Sequence, residues 1–369
     1  MAVSVLAPIT PSVLTWARQQ AVVTVEELAK RVAVEPERVV EWETGQASPS
    51  LAKLRGIADM LKQPMALFFA PSPPEDGIKV PPDFRNASTT TGRGLTREIR
   101  MAEERRDTFK QLAPELVRAS VWPQWRAEAD LTPAQVRSRL GVSVAEIKAT
   151  KSFHEALRLW ISAMEDQGIL VFQMSGVDDG ECSGFCLNDA TTPVIVLNGK
   201  EAPQRRIFTL LHELGHLIDN SGGLCLLQED IDRERACNRF AESVLLPAGE
   251  VRTAVEGLSG VASVHAVARD FRVSRVAAAV ALHRQNLVSQ QVVDDELMRS
   301  SEAREHASDS DGFAPPEKLK RRNLGDLYTA TVLDAMDADT ISVADATYYL
   351  GAKVGMINKL ERELAGSTA

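Results

Sequence analysis

The stretch Arg206-Ile207-Phe208-Thr209-Leu210-Leu211-His212-Glu213-Leu214-Gly215-His216-Leu217-Ile218-Asp219 constrains the fold of this chain more than any other. At about 100° per residue, Ile207, Leu210, Leu211, Leu214, Leu217 and Ile218 gather into one apolar stripe of a helix. His212 and His216 lie on the opposite side, four residues apart, beside Thr209 and Asp219. One face therefore packs on a core while the other presents two imidazoles a single turn apart. In an H-E-x-x-H helix that spacing suits two nitrogens on one Zn²⁺, with Glu213 able to activate a water.

Two histidines do not complete a catalytic zinc site, which usually takes three protein ligands and leaves a fourth position open. The next helical segment runs from Asp232 to Leu246 and stops at Pro247, with Glu234, Asn238, Ala241 and Leu245 on one face. Glu234 follows His216 by 18 residues, enough for a loop through Ser221-Gly222-Gly223 and a return, and is the expected third ligand. Asn238, one turn later, can orient a ligating histidine through a hydrogen bond. Glu242, Asp219 and Glu229 are the rival carboxylates.

The run F-T-L-x-H-E-L-G-H, followed by E-R-A-C-N-R-F-A-E-S-V-L-L-P, resembles the ImmA/IrrE family of zinc-dependent metallopeptidases. The upstream segments Gly184-Phe185-Cys186-Leu187 and Pro193–Asn198 resemble strands of the same family. The resemblance implies metal binding by His212, His216 and Glu234, with Glu213 as the catalytic glutamate. Glu242-Ser243 departs from the family's more usual Ala-Glu. Close similarity covers about 50 to 70 residues, and looser similarity extends over most of the chain.

At 369 residues the chain is long enough for two or three domains. Its hydrophobic content of 44% and charged content of 25% are those of a soluble globular protein. A net charge of −9 gives no global pull toward nucleic acid or anionic membrane, so any DNA contact must come from a local patch. Four cysteines make no disulfide framework, and Cys182-x3-Cys186 has no second pair at finger-like spacing. The start lacks a basic n-region, and no apolar run approaches membrane-spanning length. A cytoplasmic protein without a membrane partner is the expectation.

Residues 1–70 read as an all-α bundle. Thr24-Val25-Glu26-Glu27 is a capping box, Pro36 suits the first turn of a third helix, and Pro49-Ser50-Leu51 starts a fourth. The run E-L-A-K-R-V-A-V-x-P-E-R-V-V-x-W-E-x-G resembles the Cro/phage-repressor (XRE) family of helix-turn-helix domains. That resemblance implies DNA binding, often as a dimer, with Arg38 as the candidate contact. Glu35, Glu37, Glu41 and Glu43 oppose that single cation on the would-be recognition helix, where phosphates repel carboxylates. Dimerisation, or docking of another repressor, is the alternative use of such a module.

The expected fold class is mainly α with a small sheet (α+β), in six stretches. A Pro-rich linker spans 71–94, and a helical connector spans 95–150. On its first helix, arginines interleave with acids as a solvated, ion-paired face. A zincin-like peptidase domain spans 151–293, with strands at 169–173, 185–187 and 194–197; the last of these is positioned to hold an extended peptide by edge pairing. His265 and Arg272 could each supply an oxyanion donor, although neither falls in a motif. A flexible acidic, Ser-rich linker is expected over 294–316, and a helical, helix-turn-helix-like domain with Lys318, Lys320, Arg321 and Arg322 over 317–369.

Together these features predict a zinc-dependent endopeptidase coupled to transcriptional regulation. Mn²⁺ is an alternative ion for a His2Glu set. The family resemblance implies a repressor protein as substrate, in a stress or mobile-element response. The alternative is a DNA-binding regulator or toxin–antitoxin component whose metal domain senses or scaffolds.

Overall fold

The computed structural model describes residues 6–21, 23–61, 65–73, 93–128, 131–178, 180–219, 231–306 and 315–365. Most of the Pro-rich stretch, the segment Ser221–Gly223, Cys225 and Glu229 lie outside the described residues. The chain divides into two compact units, Met1–Arg97 and Glu98–Ala369.

The first unit holds α1 (Pro11–Gln20), α2 (Val25–Val32), α3 (Pro36–Glu43), α4 (Leu51–Leu61) and a 3₁₀ turn at Met65–Phe69. Thr24 accepts from the Glu27 amide while the Glu27 carboxylate accepts from Thr24, so α2 begins on the expected capping box. Ala33, at φ 53°, turns the chain sharply between α2 and α3. Val13, Leu14, Leu28, Val39, Leu54, Ile57 and Phe68 form the unit's core. The α3 charges are largely spent inside the unit. Arg38 pairs with Glu41 at 2.5 Å, and Arg18 holds Glu43 through Nε at 2.6 Å and Nη2 at 2.9 Å.

The second unit is mainly helical around one small sheet. Its helical approach comprises α5 (Arg93–Leu112) from Glu98 onward, α6 (Pro114–Ala119), α7 (Trp122–Ala127), α8 (Pro133–Leu140) and α9 (Val144–Ala149). Then come α10 (Phe153–Glu165), β1 (Leu170–Met174), β2 (Gly184–Leu187), β3 (Val194–Asn198), α11 (Pro203–Ile218) and α12 (Ile231–Leu245). The strand residues are buried on both faces, which is why the sequence shows continuous apolar runs here instead of alternation. The sheet order is β1-β3-β2, with β1 parallel and β2 antiparallel to β3. The strand before the metal helix, β3, is therefore central and already paired on both sides, so the edge role expected of it is corrected. Among the described residues β2 pairs only with β3 and lies at the sheet's edge.

Beyond α12 lie α13 (Ala248–Ala254), α14 (Val261–Asp270), α15 (Arg275–Arg284) and α16 (Gln290–His306). The segment 294–306, expected as part of a flexible linker, is thus helical. Gln290 and Gln291 hydrogen-bond Asp294 and Asp295 one turn on, both at 2.8 Å. Glu296, only 2% exposed, is held between Arg275 and Arg299 at 2.6 and 2.7 Å, giving an acidic segment an inward face. The last helices are α17 (Pro316–Leu324), α18 (Asp326–Asp337), α19 (Val343–Tyr349) and α20 (Val354–Ala365). Helix α17 lies against β1, covering that edge.

The charged face of α5 is only partly solvated. Glu98 is buried, Arg105 lies 5.2 Å over the Phe172 ring, and Lys110 reaches Asp189 at 2.6 Å. Those contacts tie α5 to β1 and to the β2–β3 turn, its long side chains laying apolar stems along the protein. No helix among the described residues is long and apolar enough to cross a membrane.

Candidate metal centre

Helix α11 is fixed to the sheet before it presents any chemistry. Its apolar stripe joins Leu157, Trp160, Met164, Val171, Ile195 and Leu197 in one core. Arg206, almost wholly buried near its start, donates from Nη1 to Gln173 Oε1 on β1 at 2.5 Å. A Cβ on Gly184 would come within 2.6 Å of Thr209 Cγ2 and 2.8 Å of the Val196 carbonyl, so only glycine lets helix and strand approach this closely. The polar side of α11 is also largely covered. Glu213 is 2% and His216 3% exposed, so the expected open polar face is a packed one.

Helix α12 supplies that cover. At Gly215, between the two motif histidines, an added Cβ would meet Phe240 Cδ1 at 3.1 Å and Cys237 Sγ at 3.4 Å. The glycine of H-E-L-G-H therefore sets the close crossing of the two helices. Cys237, Ala241, Val244 and Leu245 are the buried side of α12, and its neighbouring side carries Glu234 and Asn238 to the histidines.

The Nε2 atoms of His212 and His216 are 3.0 Å apart. Glu234 places Oε2 at 3.3 Å from His212 Nε2 and Oε1 at 3.1 Å from His216 Nε2. Among the described residues this is the one group of three His, Cys, Asp or Glu side chains close enough to hold a metal ion. Ligands about 2.0–2.1 Å from a tetrahedral zinc would stand about 3.3–3.4 Å from one another. The observed triangle fits three corners of such a tetrahedron to within a few tenths of an ångström.

The protonation chemistry points the same way. Burial holds the His212 ring below its ordinary pKa, and burial together with the neighbouring His212 holds His216 down at about 4. Neutral rings offer lone pairs. Asn238 Oδ1 lies 3.0 Å from His212 Nδ1, where a carbonyl oxygen accepts the Nδ1 proton and leaves the Nε2 lone pair facing His216 and Glu234. The Phe208 ring stacks on His212 with centroids 6.3 Å apart, restraining it on the other side.

Two of the rival ligands, Asp219 and Glu242, are engaged elsewhere. Asp219 is exposed and paired with Arg233 at 3.2 Å, and Glu242 is held by Arg284. Arg272 binds the Thr150 carbonyl and His265 is exposed, so neither joins the group. Cys182 and Cys186 are buried, and Cys182 donates from Sγ to the Gly184 carbonyl at 3.1 Å. Arg38 lies in the other unit, on Glu41. What the sequence reading lacked were Gly184, Phe208 and Gln173. The glycine at 215 carried a legible signal, because no other residue of that helix lacks a side chain.

Residues 164–283 match the model of the IrrE N-terminal-like domain, a peptidase family, over a segment that includes both histidines, Glu213, Glu234 and Asn238. The match supports the ImmA/IrrE resemblance and a peptidase. Among solved structures, Bacillus thuringiensis PlcR in complex with the peptide PapR7 and DNA aligns at 12% identity over 98% of this chain and 99% of that chain. Its TM-score of 0.17 is too low to carry any argument. No curated protein matches the chain significantly.

Proposed function

We propose that this protein is a zinc-dependent endopeptidase acting on a regulatory protein of the repressor type. One observation carries the reading: two neutral imidazole nitrogens and a carboxylate meet within 3.0–3.3 Å beside a buried glutamate of the same helix. His212, His216 and Glu234 would hold Zn²⁺, with Mn²⁺ the alternative. The bound ion supplies Lewis acidity to a water and to the scissile carbonyl. Glu213 takes the proton of the attacking water and delivers it to the leaving amine. Asn238 keeps the His212 ring in one tautomer throughout.

The repressor substrate is what the family resemblance implies, and a cytoplasmic setting is proposed from the sequence reading alone. The N-terminal unit is proposed as an XRE-type helix-turn-helix module, with homodimerisation as one use. With Arg38 tied to Glu41 and with Glu35 and Glu37 exposed, α3 favours a protein partner over DNA. Salt-dependent binding of duplex DNA by the full chain, lost in Arg38→Ala, would reverse that preference.

The test compares wild type with Glu213→Gln. Metal content by mass spectrometry is expected to match. Cleavage of repressor-type proteins, and any self-cleavage within the Pro-rich stretch, should fall by about 10²–10⁴-fold. Equal cleavage would end the assignment of Glu213. Retained metal with no cleavage by either protein would favour the sensing or scaffolding role.

A further inference from the structure

The three-residue group is open on one side and closed on the other. His216 is buried, whereas the His212 side chain is 13% and that of Glu234 32% exposed. An occupant therefore reaches the group across the rim formed by His212 and Glu234, and the residues beside that rim meet it first.

Phe208 is one of them. Ile207, Leu210, Leu211, Leu214 and Leu217 are wholly buried, because the apolar stripe of α11 faces the core. At about 100° per residue Phe208 falls off that stripe and within about 40° of His212, one turn further on. It is only partly buried, and its ring stacks on the His212 ring with centroids 6.3 Å and planes 29° apart. The more exposed of the two histidines thus carries an aromatic surface beside it. The far end of the group is ionic: Asp219, beyond His216, pairs with Arg233 at 3.2 Å, and both are exposed.

We propose that Phe208 sets the side-chain preference of the site, selecting substrates with an aliphatic or aromatic residue next to the scissile bond. The inference rests on the reading of His212, His216 and Glu234 as a peptidase metal centre and names the substrate class of that centre. Apolar area shared between the ring and such a side chain leaves water on binding. A carboxylate in the same place would lose hydration against the negative face of the ring and gain no donor. The stacking on His212 is a separate, positioning effect of the same ring, and the two effects are separable by experiment.

The full chain is loaded with zinc, its zinc content is measured, and it is titrated calorimetrically with acetohydroxamate and hexanohydroxamate. The two share a metal-chelating head and differ in the alkyl tail. Hexanohydroxamate should bind about ten-fold more tightly, a difference of about 1.4 kcal/mol. Phe208→Ala should bring the ratio close to one. Phe208→Leu, which keeps an apolar side chain and loses the stacking, should retain most of it. A ring that only positioned His212 would change both affinities alike and leave the ratio intact in Phe208→Ala, and that result would overturn the proposal. Equal binding of the two hydroxamates by zinc-loaded wild type would overturn it too, while leaving the metal centre standing. Absence of bound zinc would remove the metal centre, and this inference with it.

Discussion

Asn238 Oδ1 stands 3.0 Å from His212 Nδ1, on the side of the ring away from the Glu234 carboxylate. This contact turns a histidine that could present either nitrogen into one that presents Nε2. Partners of this kind typically change metal affinity by about 10–100-fold. Asn238→Ala should therefore weaken zinc binding within that range, read by competition with a chromogenic chelator. Asn238→Asp, which keeps an acceptor, should lose far less. Wild-type affinity in the alanine variant would show that the hydrogen bond does not set the tautomer.

Gly184 should be intolerant of the smallest side chain. A glycine inside a strand ordinarily disfavours folding by about 0.5–1 kcal/mol relative to alanine, so an unconstrained Gly184→Ala would stabilise. Here the methyl would stand 2.6 Å from Thr209 Cγ2 and 2.8 Å from the Val196 carbonyl. Overpacking of this kind costs about 1–3 kcal/mol, and the sign of the effect is diagnostic. Urea denaturation should show net destabilisation. Adding Thr209→Ser should recover only part of it, because the Val196 carbonyl is backbone and stays in place.

The grouping of His212, His216 and Glu234 was legible because its geometry is local. Histidines four residues apart share one side of a helix whatever the tertiary fold, and Glu234 and Asn238 share a helix face by the same periodicity. The three strands were legible from dense apolar runs, although β1 begins one residue later than its run suggested. Sheet order was not legible. β3 precedes the metal helix in sequence, yet parallel pairing with β1 puts it in the centre, and that pairing joins residues 24 positions apart, such as Leu170 and Val194. The helix through 294–306 was hidden for a related reason. Its composition is acidic and Ser-rich, and its inward face, Val293 in the core and Glu296 between two arginines, depends on partners distant in sequence.

Glu165 predicts a pH dependence opposite in sign to ordinary acid denaturation. Its Oε1 is buried without a hydrogen-bond partner among the described residues, and Oε2 accepts from the Leu327 amide at 3.3 Å. Burial, reinforced by the charge of Asp326, raises its pKa from 4.5 to about 8. Between those values the unfolded chain has lost the proton and the folded chain retains it. Glu165 thus favours the folded state least at high pH. Its contribution is intact below about 4.5 and is lost as pH rises through about 8. Stability should decline across that window with a slope no steeper than about 1.4 kcal/mol per pH unit, then level off. Glu165→Gln should flatten the decline in urea midpoints measured from pH 5 to 9, and an unchanged slope would assign it to other groups.

Zinc should stabilise the folded chain, and acid should remove both the ion and part of the stability beneath it. The His216 ring is held down at about 4 in the metal-free fold, whereas in the unfolded chain it titrates near 6.5. Between these values the unfolded chain takes up the proton first. Metal-free stability is therefore fully present above about 6.5 and declines as pH falls toward 4. An ion that binds only the native triangle adds about 4 kcal/mol at a thousand-fold excess over its Kd. Thermal melts at pH 7.5 should rise with zinc and fall back with a chelator, and His216→Ala or Glu234→Ala should abolish the zinc-dependent increment. Because the depressed histidine pKa leaves Nε2 unprotonated well below neutrality, the increment should persist to about pH 6 before collapsing. A zinc shift of the same size in His216→Ala would place the ion elsewhere on the protein.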